Sequence, residues 1–337
     1  MSQPNPASRG VSLTQHISNQ QRVQRATGEF TAVLAQINLA GKIIARALSQ
    51  AGIFSLGDAA LTENFHEELP KRMERFAYET FVKVFSLSPF VTTLACEGRE
   101  TTLHTSAGKY VVFVDPLDGA TNLHVNGVTG SIFSVYRRQS SGDKVVAKDL
   151  LPKGTEQVAS GYIMYGPSTL MVYSAGNGVN TFKLDTGIGE FLISQQDVRI
   201  PERGITYSCN EAHFHEWHEH TRRYIERLRQ RDAKTDKHYS SRYAGCLVFN
   251  FHRTLMEGGV CMYPEETADR AVGGKRRLIY QCNPLAFIAE QAGGKATTGT
   301  ERILRIQPGS VEERSAMIIG SPYEVLLYED FAKRSTK

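Results

Sequence analysis

Two aspartates three positions apart carry the most chemistry in this chain. Asp115 and Asp118 flank Pro116 and Leu117, and Gly119 follows at once. The run Tyr110-Val111-Val112-Phe113-Val114 in front of them has the apolar, β-branched composition of a buried strand. A strand ending in such a tight turn aims two carboxylates and a backbone carbonyl at one point. That donor set suits a hard divalent cation, which takes oxygen ligands, and the cation in turn suits a phosphate ester. The same residues would also build a turn capped by two solvated aspartates. The strand before them and the Gly119, Thr121 and Asn122 cluster after them favour the cation.

Other elements must bring partners to that turn. A strand over Val91 to Ala95 runs into Cys96-Glu97-Gly98-Arg99-Glu100, a second strand end with an acid that could meet the first. Phe30, Val33, Leu34, Ile37, Ile43, Ile44 and Leu48 recur at helical spacing from Thr27 to Gly52. The free N–H groups of residues 28–31, beside the hydroxyls of Thr27 and Thr31, could hold a phosphate, although a capping side chain or water serves any helix start equally well. A long loop is expected over 54–70, and a helix over Lys71 to Phe85 on which Glu74 and Glu79 read as the solvated face.

Residues 1–10 read as a mobile arm, and a short helix is expected to reach Arg25. Tyr162–Tyr165, Thr169–Tyr173, Val179–Leu184 and Phe191–Ser194 alternate as strands of an antiparallel sheet, and the composition shifts near Ile200. Beyond it the pattern predicts a strand over Thr206 to Cys209 and a helix of about 15 residues through Trp217 and Tyr224 to Leu228. A charged connector over Asp232 to Tyr239, a buried helix over Tyr243 to Met256 and a strand over Val260 to Tyr263 follow. The rest reads as a loop over Glu265 to Lys275, a strand over Arg277 to Gln281, and helices starting at Asn283-Pro284 and Ser321-Pro322, with Asn283 as the cap.

The bulk numbers exclude more than they assign. The 337 residues are 41% hydrophobic and 22% charged, as in a globular protein of two domains or one large one. Thirty-nine Lys and Arg against 35 Asp and Glu leave +4, too dispersed for nucleic acid or a membrane surface and compatible with small anions. Five cysteines, odd in number and without C-x-x-C spacing, argue against a disulfide framework or a zinc site and for a reducing compartment. The sequence reads as having no apolar stretch near the roughly 20 residues of a membrane span, and the polar start MSQPNPASRG as lacking a signal core, so a cytoplasmic location is expected.

Read in order, VDPLDG, SIFSVYR, GYIMYG, GVNTFKLD, IGEF, YSCNEA, SRYAG, HRTL, MYP, CNPLAF and AGGKATTG resemble the class I fructose-1,6-bisphosphatases from Thr27 to about residue 325. The aspartate turn alone is shared with inositol monophosphatases, in which SRYAG and MYP have no place. The resemblance implies an α/β protein layered α/β/α/β/α, with an AMP-type allosteric domain over 11–200 and a sugar-phosphate-binding domain over 201–337. It also implies hydrolysis of the 1-phosphate of fructose 1,6-bisphosphate in gluconeogenesis, Mg²⁺ or Mn²⁺, AMP inhibition, and a tetramer.

Residue by residue, the resemblance carries over with gaps. The family's metal ligands map to Glu97, Asp115, the Leu117 carbonyl and Asp118, but a second glutamate is Gly98 and a distal one is Gln281. The carboxylate pair that orients the attacking water maps to Gly98 and Glu74, the latter in place of an aspartate, and the hydroxyl-rich run after the turn is Gly119-Ala120-Thr121. Asn210, Arg242, Tyr243, Tyr263 and Lys275 match residues that bind the sugar and its 6-phosphate, with His213 in place of a tyrosine. Thr27, Glu29, Phe30, Thr31, Lys109, Tyr110 and Arg137 match the AMP site. The expectation is one surviving cation site on Glu97, Asp115 and Asp118, fewer ions than a typical member, and impaired hydrolysis. The alternative is a non-catalytic binder of sugar phosphate or AMP, acting as a sensor or as the partner of an active homologue.

Overall fold

Two sheets and three layers of helices alternate through the computed structural model, which describes residues 10–24, 28–54, 65–99, 102–103, 108–142, 145–231, 238–267 and 273–335. Three helices come first: α1 (Leu13–Gln24), α2 (Glu29–Phe54) and α3 (Phe65–Phe85). The large sheet is built from β1 (Val91–Cys96), β2 (Thr102–Leu103), β3 (Tyr110–Asp118), β4 (Thr129–Arg137), β5 (Gln157–Tyr165), β6 (Leu170–Ser174), β7 (Asn180–Asp185) and β8 (Glu190–Gln195), with a single-turn α4 (Ala147–Leu150) between β4 and β5. Its order is β2-β1-β3-β4-β5-β6-β7-β8, in which β1 and β3 run parallel and every other pair antiparallel. Placing β3 beside β1 brings two strand ends together, where open sheets most readily place ligand-binding residues.

The remaining chain supplies β9 (Thr206–Ser208), α5 (Glu219–Arg229), β10 (Ser240–Ser241), α6 (Leu247–Glu257), β11 (Val260–Tyr263), β12 (Arg276–Arg277), α7 (Asn283–Gln291), β13 (Lys295–Thr297), β14 (Arg314–Ser315), β15 (Met317–Gly320) and α8 (Pro322–Ser335). The second sheet is ordered β10-β9-β11-β15-β13, and among the described residues β12 pairs with β14 alone. Strand alternation makes the layers. Val112 and Val114 of β3 pack with Val33, Leu34, Ile37 and Phe81 of α2 and α3. Ile132 and Tyr162, on the other face of the large sheet, meet Leu247, Phe251 and Leu285 of α6 and α7 together with Cys261 and Tyr263 of β11. Val260 and Met262, the intervening residues of β11, face Tyr224, Ile225 and Tyr328 of α5 and α8. Because successive strand residues point to opposite faces, one apolar strand seals two cores, and the order is α/β/α/β/α.

Several boundaries differ from the sequence expectation, each for a local reason. Residues 65–70, expected as loop, are helical, with Pro70 inside α3; residues 55–64 lie outside the described residues. The segment 211–216 is a 3-10 helix and α5 begins only at Glu219. Tyr243 and Ala244 stay outside α6 because Gly245 takes a left-handed φ of 71°. Arg277 to Gln281 is not a strand: only Arg276 and Arg277 pair, and Leu278–Cys282 forms a π-helical turn continuous with α7. A short apolar run fits strand and buried helix alike. Asn283 is therefore already helical and buried, not a cap. Residues 29–50 of α2 are, by length and composition, apolar enough to cross a membrane, contrary to the reading of no such stretch, yet Val33, Leu34, Ile37, Ala40 and Ile44 are buried against the sheet.

Gly119, which follows β3, has φ 74°, and a Cβ there would lie 2.7 Å from Cys246 Cβ. Both the left-handed backbone and the close approach exclude larger residues. Gly119→Ala is expected to destabilise the protein by about 2–4 kcal/mol. Urea denaturation checks this, and a loss under 1 kcal/mol would contradict the geometry.

Candidate active site

In a regular strand, residues three apart point to opposite faces. Asp115 pairs with Ile132 and Asp118 with Gly130, so three steps along β3 match two along β4. That extra residue is a β-bulge, and it returns both carboxylates to one face. Pro116, without an N–H, sits in the bulge, and its carbonyl accepts from Ser131 Oγ at 2.7 Å. The expected tight turn is thus a bulged strand, the turn starting only at Gly119 and the 3-10 segment Ala120–Val125. Nor are the aspartates solvated: Asp115 is 4% and Asp118 7% exposed.

Each aspartate is already engaged. Asp118 Oδ2 accepts from the Val248 N–H at 2.9 Å and from Cys246 Sγ at 3.1 Å, at the start of α6, where free amides and the helix dipole favour an anion. Burial pushes the Cys246 thiol up, which keeps it an S–H donor. Asp115 Oδ2 accepts from Gln281 Nε2 at 2.7 Å, and Gln281 Oε1 accepts the Arg277 N–H at 3.1 Å. Burial first, then the charges of Asp118 and Glu97, hold the Asp115 carboxyl well above the usual range, partly offset by the Gln281 hydrogen bond.

Glu97 follows β1, its N–H bonded to the Val114 carbonyl at 2.9 Å, which sets it beside Asp115. Its carboxylate is 3.4 Å from Arg277 Nε, and Arg277 also pairs with Glu312 at 2.8 Å. Glu74 is exposed, as the solvated-face reading expects, yet partial screening from water and then the Glu97 charge raise its pKa, so the two carboxyls share one field. Glu79 remains exposed, 3.8 Å from Arg75. Gly98 takes φ 67° with open space where a Cβ would stand. Glu100 lies outside the described residues.

The sugar-binding candidates divide. Tyr243 and Tyr263 lie 6.5 Å apart between ring centroids, and Tyr263 OH accepts from Asn250 Nδ2 at 3.0 Å. Ala120 is buried and Thr121 exposed. Asn210 caps its 3-10 segment by accepting the Ala212 N–H, and exposed Arg242 donates to the Ser241 carbonyl at 2.8 Å. Lys275 binds Glu266 at 2.5 Å, and His213 stands 3.5 Å from Glu266 and 2.7 Å from Glu216. A cavity of about 550 Å³ bordered by His218, His220, Glu265 and Arg314 contains none of the sequence-selected residues.

Sequence reasoning missed two cations. The guanidinium of Arg276 lies 4.0 Å from the Tyr263 ring centroid, and Arg277 binds Glu97. The signal was present in the basic run Lys275-Arg276-Arg277 ahead of an apolar segment, from which only the lysine was selected. Dications need several free anionic oxygens. Here Gly98 offers none, Gln281 presents its N–H to Asp115, Asp118 is bonded to α6, and Glu97 faces Arg277. This donor set does not fit an arrangement of two or three ions.

The second group selected from sequence also converges. Tyr110 pairs with Arg137 across β3 and β4, with the Arg137 guanidinium 5.8 Å from the Tyr110 ring. Phe30, at the start of α2, lies 6.1 Å from the same ring, and Lys109 binds Glu29 at 2.7 Å. The buried Thr31 Oγ1 has no hydrogen-bond partner. Thr27 lies outside the described residues.

Comparison with known proteins gives one answer along the chain. Residues 11–196 match the family model described as fructose-1-6-bisphosphatase, N-terminal domain, and residues 200–333 the one described as its C-terminal domain. A fructose-1,6-bisphosphatase class 1 of Chloroherpeton thalassium is 40% identical over 326 residues, covering 95% of this chain and 93% of the relative. The holo crystal structure of Leishmania major fructose-1,6-bisphosphatase superposes with a TM-score of 0.86 at 33% identity, over 95% of this chain and 98% of that one. The apo form gives 0.85 at 33%, over 96% and 99%.

Because folding raises the Asp115 pKa from 3.8, the folded state holds that proton more tightly than the unfolded chain. Stability from this group therefore falls as pH rises from about 4 through the raised value, and the cost stays in full above it. Asp115→Asn is expected to stabilise the metal-free protein by about 0.5–2 kcal/mol near neutral pH, the gain shrinking below pH 4. Denaturation at pH 4 and pH 7 measures both ends; a variant less stable than wild type at pH 7 would contradict it.

Proposed function

The chain belongs to the fructose-1,6-bisphosphatase family, metal-dependent hydrolases of gluconeogenesis that bind fructose bisphosphate, and from that premise we propose that it recognises a sugar phosphate while hydrolysing the 1-phosphate of fructose 1,6-bisphosphate slowly. One observation carries this reading: the Gln281 amide and the Arg277 guanidinium hold Asp115 and Glu97, the oxygens on which a cation would depend. Mg²⁺ or Mn²⁺ then binds weakly, at one site on Glu97, Asp115 and Asp118. When bound, such an ion supplies charge for the departing phosphate.

The chain's own residues do the remainder. Phosphoryl transfer rests mostly on positioning and charge stabilisation, with a carboxylate orienting the attacking water. Glu74, whose raised pKa favours holding a proton, is the carboxyl left for that task, and Gly98 gives it no partner. Tyr243 and Tyr263 form the wall of the sugar site. The same engagement of ligands favours a second reading, a non-catalytic sugar-phosphate sensor or the partner of an active homologue. Assembly as a homotetramer or with such a homologue, in the cytoplasm, goes with both.

Phosphate release from fructose 1,6-bisphosphate at saturating Mg²⁺ or Mn²⁺ tests this. Wild-type turnover below about 1 s⁻¹ is expected, and a rise of roughly 10²-fold or more in Gly98→Glu with Gln281→Glu. Efficient wild-type turnover would sink the reading, and an inert double variant would remove its explanation.

The cluster around Tyr110 is proposed to bind AMP. An anion fits the start of α2 beside Lys109 and Arg137, and the Thr31 hydroxyl is free to take a hydrogen bond. Binding between micromolar and millimolar is expected, weakened by Lys109→Ala; the absence of heat on titration with high AMP would reject it.

A further inference from the structure

Arg276 has no role in the site described so far. It is half-buried, and pairing of β12 with β14 fixes its backbone. The guanidinium lies on Tyr263, itself beside Tyr243, and its Nε is buried with no hydrogen-bond partner. Burial works against its charge, and the carboxyl groups of Asp118 and Asp115 are the nearby acids that favour it. A guanidinium offers five N–H donors in a planar fork, so a buried, unanswered Nε leaves part of that fork waiting for an acceptor.

We propose that the Arg276 guanidinium is the resident counter-charge of Asp115 and Asp118, standing in for a divalent cation, and that a sugar phosphate ester binds beside it without added metal. The proposal rests on the sugar-phosphate reading above and names the group that replaces the ion. A phosphate presents oxygens in the geometry the fork matches bidentately, and the Tyr263 ring lies 4.0 Å from the centre of the fork. The same fixed charge repels an incoming dication, so one side chain both lowers metal affinity and supplies the anion's partner.

The test compares wild type with Arg276→Leu and Arg276→Lys. Calorimetry with fructose 1,6-bisphosphate and with inorganic phosphate is run in EDTA, and Mn²⁺ binding is followed by electron paramagnetic resonance. Wild type is expected to bind fructose 1,6-bisphosphate in EDTA, and Arg276→Leu to bind it at least roughly tenfold more weakly while binding Mn²⁺ at least roughly tenfold more tightly. Arg276→Lys keeps the charge without the fork, so Mn²⁺ stays weak while part of the phosphate affinity is lost. Should Arg276→Leu fail to fold, Arg276→Gln, also neutral, carries the same comparison. Equal phosphate affinity in wild type and the neutral variant, or unchanged Mn²⁺ affinity, overturns the proposal. Wild-type binding that requires Mn²⁺ overturns it while leaving the sugar-phosphate reading in place; no binding with or without Mn²⁺ removes both.

Discussion

Two carboxyl groups buried on one face of a strand need a proton or a partner, and the architecture around β3 is organised by that need. Asp115 and Asp118 are driven together by the bulge and removed from water by the cores on either side of the sheet. Buried carboxylates persist only if they are protonated, paired or coordinated. A family built on metal-dependent chemistry answers with dications. This chain answers with an amide from Gln281 on Asp115 and the first turn of α6 on Asp118, while the Arg277 guanidinium takes the neighbouring Glu97.

That substitution joins the site to the fold. Asp118 is at once a candidate ligand and the anion at the start of α6, so it links the large sheet to the helix layer that separates the two sheets. Gln281 bridges β3 to the π-helical turn leading into α7. Groups so committed are less available to an incoming cation, because a ligand must first give up a hydrogen bond made in a poorly solvated place. Active sites commonly cost stability, and residues that neutralise a site commonly return some of it.

Much of this was legible in the sequence. Val91–Ala95 and Tyr110–Val114 announced themselves by apolar β-branched runs, and the helical periodicity of Phe30 to Leu48 gave α2. Once the resemblance placed Gly98 and Gln281 where the family has glutamates, charge alone gave the consequence, since replacing a carboxylate with glycine or an amide removes a negative charge wherever it sits. Harder to read was the segment from Arg277 to Gln281, where a strand was expected and a π-helical turn over Leu278–Cys282 formed, because an apolar triplet satisfies either period. The direction of Lys275 towards Glu266 also depends on a neighbour in space, as does the paired state of Glu97.

Residue types and their order by themselves determined the ancestry, because the motifs are local, and through the resemblance to the family they implied the layered α/β class and the missing charges. Tertiary structure alone decided what fills the vacated electrostatic role. The bulge that turns Asp115 and Asp118 to one side, the helix start that holds Asp118, and the arginines that stack on Tyr263 and bind Glu97 come from β4, α6 and β12. Coulombic and hydrogen-bonding partners are set by distance in space, and separations of more than a hundred residues along the chain carry no trace of which guanidinium will end beside which carboxylate.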